Sequence, residues 1–193
     1  MRSDGRIIAV LFLLVSACAP LPPVSRPGVI VPILPPSQPV EQLLANLHSS
    51  VAITRAGAAW QLAGVAAPGE EVRNALDATL DDPDEKVREA AAWALGHAKP
   101  EGTSSYDEMP RPVRISRPQY PRAAFYKHLE GTVDVEILID AGGKIVHAEV
   151  RRSIPGLDQA ALACVKTWSF EPARRKGRPA PIFAHAPVTF RID

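Results

Sequence analysis

From Thr132 to Asp140, apolar residues recur at every second position, with Val133, Val135, Ile137 and Ile139 on one face and Thr132, Asp134, Glu136 and Leu138 on the other. Period two is the mark of a strand with one face buried and one face in water. Gly142-Gly143 supplies the positive φ angles of a tight turn into a second strand, about Ile145 to Ser153. Before this pair, Pro121 opens a short helix that runs to His128. After it, Leu157, Ala160, Ala161, Cys164, Val165 and Trp168 form one apolar stripe at helical spacing, so a helix is expected from about Leu157 to Trp168. Alternation returns at Ala184, Ala186, Val188, Phe190 and Ile192. The element order is αββαβ. Pro187 lies inside the last strand, where a missing ladder donor is tolerated at an edge, and an edge is open to pairing with another chain.

The preceding region obeys a different rule. Arg55 to Leu62 (RAGAAWQL) aligns with Arg88 to Leu95 (REAAAWAL) at a period of 33 residues, and Leu43 and Leu47 align with Leu76 and Leu80. Each unit reads as two helices joined at Ser49-Ser50 or at Asp82-Pro83-Asp84, whose side-chain oxygens can cap the helix that follows. Small residues at 58, 59, 91 and 92 let helices approach closely, and Trp60 and Trp93 are expected at equivalent buried positions.

The 20 prolines of this 193-residue chain argue against one compact unit. Eight of them fall between Ala19 and Val40 in a stretch almost without charge, which predicts an extended tether. A second linker runs from about Lys99 to Pro112. The expected division is residues 1–17 as leader, 18–39 as tether, 40–99 as helical repeats, 100–111 as linker and 112–193 as the α+β domain. The leader has Arg2 and Arg6 ahead of the apolar run Ile7 to Val15, too short to span a bilayer, as in an export signal.

The net charge of +1 conceals a division: residues 40–99 hold five Lys/Arg and nine Asp/Glu, whereas residues 110–193 hold fourteen and eight. The basic loop Arg174 to Arg178 is read as a solvated surface, with an acidic protein segment or anionic envelope polymer as the sharper alternative. Nucleic acid does not fit an exported chain. The five histidines have no metal-ligand spacing, no nucleophile elbow is present, and Cys164 has apolar neighbours and is expected to be a buried structural thiol without a disulfide partner. No enzyme, cofactor or metal site is expected.

Three resemblances add to this reading. Val15-Ser16-Ala17-Cys18 resembles a bacterial lipobox, which implies cleavage before Cys18, lipid on its thiol and a membrane-anchored protein facing the periplasm. Ala19 in the next position favours the outer membrane. Asp82 to Arg88, with the alanines and Leu95-Gly96 behind it, resembles a short HEAT repeat. Finally, Tyr120-Pro121, Glu130-Gly131-Thr132-Val133, Ile139-Asp140 with Gly142-Gly143, Gly156-Leu157-Asp158, and Trp168 to Ala173 with Gly177 together resemble the C-terminal domain of the TonB family.

The TonB resemblance implies a three-stranded antiparallel sheet with two helices on one face. It also implies that an extended peptide of an outer-membrane transporter or other envelope protein adds as a strand. The contacting positions carried over are Arg117, Pro118, Gln119 and Tyr120, with the edge Ala184, His185, Ala186, Val188, Thr189, Phe190, Arg191 and Ile192. An adaptor lipoprotein of TonB-dependent transport is the reading that follows; an energy transducer, or an envelope scaffold that self-associates through the edge, is the alternative.

Overall fold

The computed structural model describes residues 37–65, 67–98 and 106–192. The leader, Cys18, most of the proline-rich tether and the first half of the second linker lie outside them.

Four helices come first, α1 (Val40–Asn46), α2 (Ala52–Leu62), α3 (Glu70–Thr79) and α4 (Glu85–Ala98). They exist because the 33-residue repeat puts Leu43, Leu47, Leu76 and Leu80 into one core with Ala58, Ala59, Ala91 and Ala92, all of them buried. Asp84 caps α4, its Oδ1 accepting the amides of Lys86 and Val87 at 2.9 and 3.3 Å. The repeat also governs polar contacts. Arg55 donates to the carbonyl of Ser49 at 2.9 Å, and Arg88 donates to the carbonyl of Asp82 at 2.8 Å. Each arginine thereby ties its own helix to the turn six residues before it. The tryptophans are not equivalent, however: Trp93 is fully buried, whereas Trp60 is half-buried and stacks on it at 5.7 Å.

The second region contains β1 (Arg111–Arg114), α5 (Arg122–Tyr126), β2 (Gly131–Ile139), β3 (Ile145–Arg152), α6 (Asp158–Val165), β4 (Ser169–Glu171), β5 (Ala173–Arg175), β6 (Arg178–Ala180) and β7 (Ile182–Phe190). The main sheet is antiparallel in the order β3-β2-β7. Val133, Val135, Ile137 and Ile139 pack there against Leu157, Ala161, Leu162 and Val165, so the expected αββαβ skeleton stands. Two short pairs, β1 with β4 and β5 with β6, flank it. The β2–β3 turn needs its glycine: Gly143 has φ +79°, and a Cβ there would lie 1.8 Å from the carbonyl oxygen of Phe170.

The expected wet face of β2 is only partly wet. Thr132 and Asp134 are half-buried, but Glu136 and Leu138 are buried beneath α4, and Leu138 belongs to the helical core. The sheet is therefore covered on both faces, by α5 and α6 on one side and by the helical repeats on the other. Phe183 of β7 fits over Gly96, between Trp93 and His97.

Candidate partner-binding edge

β2 and β7 are in register from Gly131↔Phe190 to Ile139↔Ile182 without a bulge. Pro187 stands opposite Asp134 and has no N–H, so this pair is one in which the two residues exchange no ladder bonds. Backbone groups alternate sides along a strand, which directs the amides of His185 and Thr189 away from β2. Among the described residues β7 pairs with no second strand.

The side chains divide accordingly. Ala186, Val188 and Phe190 are buried in the core and Ala184 is half-buried, so these four offer a partner little beyond backbone. His185, Thr189 and Arg191 are exposed, and Ile192 is half-buried just past the strand. Thr189 and Thr132 join hydroxyls at 3.0 Å.

The segment Arg117–Tyr120 is held from both ends. The carbonyl of Ser116 accepts from the Trp168 indole N–H at 3.1 Å and from the Cys164 thiol at 3.2 Å, which gives the buried cysteine a structural role. The Tyr120 hydroxyl donates to the carbonyl of Leu129, and its ring meets Phe190 edge-on at 5.6 Å. Burial, helped by the nearby Glu130 charge, pushes the Tyr120 phenol up. Arg117 and Gln119 are exposed and Pro118 is half-buried. Sequence reasoning missed the aromatic pair beside this segment, Phe125 and Tyr126, which are 49% and 78% exposed. Their signal was local, two large rings in a helix of five residues that cannot bury both.

Arg174, Lys176 and Arg178 of the basic loop are exposed, as a solvated surface requires, and Arg175 departs from that expectation. Arg175 is buried, with its guanidinium 3.0 Å from Asp77 and 3.2 Å from Asp81 of the helical region, and Lys176 reaches Asp81 at 2.7 Å. The hydrogen bond from Lys176, and then Arg175, holds the Asp81 carboxyl below its usual range. The acidic segment that this loop meets lies in the same chain.

A second polar cluster joins the two regions. His97 on α4 places Nδ1 2.8 Å from the carbonyl of Trp93 and Nε2 3.0 Å from Glu136 on β2, and Arg151 on β3 reaches the other Glu136 oxygen at 3.0 Å. Among the described residues no His, Cys, Asp and Glu side chains are grouped as a metal ion would require, and no helix is long and apolar enough to cross a membrane.

Residues 116–192 match the family described as Gram-negative bacterial TonB protein C-terminal, and residues 40–106 match HEAT repeats. The C-terminal domain is of the TonB type. The Vibrio cholerae protein named TonB is 37% identical over 88 residues, 43% of this chain and 36% of that protein. The Pseudomonas aeruginosa protein named tonB2 is 35% identical over 78 residues, 39% of this chain and 29% of that protein. A solution NMR structure of the Pseudomonas aeruginosa TonB CTD is 30% identical, covers 44% of this chain and 87% of that chain, and superposes with a TM-score of 0.38. The chain spans about a third of the length of the curated relatives it matches. The TonB-type domain thus carries β7 and the Tyr120 segment, while the HEAT-like region covers the sheet face beside them.

Proposed function

We propose that this chain is a TonB-family adaptor lipoprotein of the periplasm, acting in TonB-dependent envelope transport by adding an extended partner peptide to β7. The observation that carries the reading is a TonB-type domain whose edge strand presents outward amides next to the anchored Tyr120 segment. Strand addition draws affinity from main-chain hydrogen bonds and leaves selectivity to flanking side chains, here His185, Thr189, Arg191, Phe125 and Tyr126. The partner is an outer-membrane transporter or another envelope protein.

The test is the affinity of the chain for synthetic peptides from the periplasmic termini of outer-membrane transporters, with and without Thr189→Pro. The proline removes an outward donor and leaves the β2 ladder intact, so affinity should fall about tenfold while circular dichroism stays unchanged. An unchanged affinity in a folded variant would move the contact away from β7.

Anchoring is tested separately. Cys18→Ser should abolish the mass increment of the lipid and release the protein from the membrane fraction. A wild-type protein that keeps residues 1–17 would overturn the lipoprotein reading, leaving the energy-transducer alternative in its place.

A further inference from the structure

The HEAT-like region and the TonB-type sheet meet through a cluster of titratable groups that strand addition does not use. His97 lies between two acceptors: the Trp93 carbonyl faces Nδ1 at 2.8 Å and the Glu136 carboxylate faces Nε2 at 3.0 Å. A carbonyl and an ionised carboxylate cannot donate, so both contacts are hydrogen bonds only when both ring nitrogens carry a proton, as in an imidazolium. Arg151 also holds Glu136 in its ionised form. The second histidine of the joint, His147 on β3, is edge-on to both tryptophans, with ring centroids 5.1 Å from Trp60 and 4.4 Å from Trp93. Those two rings both belong to the helical region, so docking is what packs them against His147.

The groups facing His97 are Glu136 of β2, Glu149, Arg151 and His147 of β3, and the Phe183 ring of β7, with His185 of β7 close to Glu136. Burial works against the charge on His97, but the bonds to Glu136 and the Trp93 carbonyl outweigh it and its pKa rises. At His147 burial dominates, the positive neighbours His97 and Lys166 add to it, and the pKa drops to about 4.

We propose that the contact between the HEAT-like region and the sheet is a proton-tuned joint, tightest near pH 6.5 and loosened by protonation of His147 on the acid side and by deprotonation of His97 on the alkaline side.

The signs follow from linkage. A raised histidine pKa gives the docked state a stabilisation that is complete below the ordinary value of 6.5 and is lost as pH rises through the raised one. A lowered histidine pKa acts oppositely: between 6.5 and about 4 the undocked state takes up a proton that the docked state refuses, so docking weakens as pH falls. Glu149, raised by burial and by Glu136, works against the acid limb and shortens it. Below the ordinary carboxyl range, protonation of Glu136, whose pKa is lowered despite its burial by His97 and Arg151, removes the pair altogether. The Arg175 contacts to Asp77 and Asp81 hold the two regions together while the joint loosens.

The experiment is an NMR titration of the chain from pH 5 to 9, following the indole N–H signals of Trp60 and Trp93 for docking and the imidazole signals of His97 and His147 for protonation. The docking constant should fall about tenfold from pH 6.5 to 5, as the His147 proton requires, and about tenfold by pH 9, the worth of one charged hydrogen bond. Each limb can be removed alone. Glu136→Gln offers an amide that satisfies neutral His97, so the alkaline limb should vanish. His147→Phe keeps a ring against the tryptophans that cannot take a proton, so the acid limb should vanish. A docking constant that is flat across the range, a limb that survives in its own variant, or His97 titrating below 6.5 would each overturn the proposal.

Discussion

Replacing Trp93 with alanine is expected to lower the free energy of unfolding by about 3–5 kcal/mol, the range for deleting a large buried aromatic side chain. Trp93 is 1% exposed and touches Trp60, His97, His147 and Phe183 with ring centroids 4.4 to 5.7 Å away. Three of those rings cannot close the cavity without leaving other contacts. His147 and Phe183 are fixed to the sheet backbone, and His97 is bonded to Glu136. Trp60 is the exception, because it is half-buried and free to slide inward, so Trp60→Ala should cost clearly less than Trp93→Ala. Urea unfolding of the chain, followed by far-ultraviolet circular dichroism, measures both. A loss below about 1 kcal/mol for Trp93→Ala would remove it from the core. Equal losses for the two variants would restore the symmetry that the repeat alone suggests.

Period two placed β2 and β7 in the sequence within a residue or two, since a half-buried strand must alternate whatever lies beyond it. The 33-residue repeat located the paired helices for a similar reason, as leucines 43, 47, 76 and 80 can bury together only on helical faces. The short strands β4, β5 and β6 were not legible, because three residues are too few to show a period. The joint was hidden more deeply. Its contacts join residue 97 to 136, 96 to 183 and 175 to 77, and no local pattern announces pairs so far apart. Glu136 looked like an ordinary polar residue on a wet face, and Trp60 and Trp93 looked like private core residues of the helices. The one trace was the opposite charge of the two halves. An acidic helical region followed by a basic domain is an invitation to dock, and Arg175 between Asp77 and Asp81 is how the chain accepts it.

Gly96→Val should open that joint, at a cost of about 2–3 kcal/mol in the stability of the chain. Two effects compete at this position. In a helix interior valine is favoured over glycine by only about 0.4 kcal/mol, so on α4 alone the change would be mildly stabilising. Across the joint, however, a Cβ on Gly96 would lie 2.1 Å from Cγ and 2.5 Å from Cβ of Phe183. These atoms sit at the root of the side chain, where rotation gives little relief, and the ring is already bounded by Trp93 at 5.4 Å and His97 at 4.9 Å. Relief therefore requires α4 to lift from β7, taking His97 away from Glu136 and uncovering His147. Overpacking wins by a wide margin over propensity. Urea unfolding gives the size of the effect, and the Trp60 and Trp93 indole signals show its location, since both should move to exposed positions while Trp168 of the TonB-type domain stays unchanged. A variant as stable as the wild type, with its indole signals in place, would mean that Phe183 and α4 are not in contact in solution. The two regions would then behave as separate bodies on a linker.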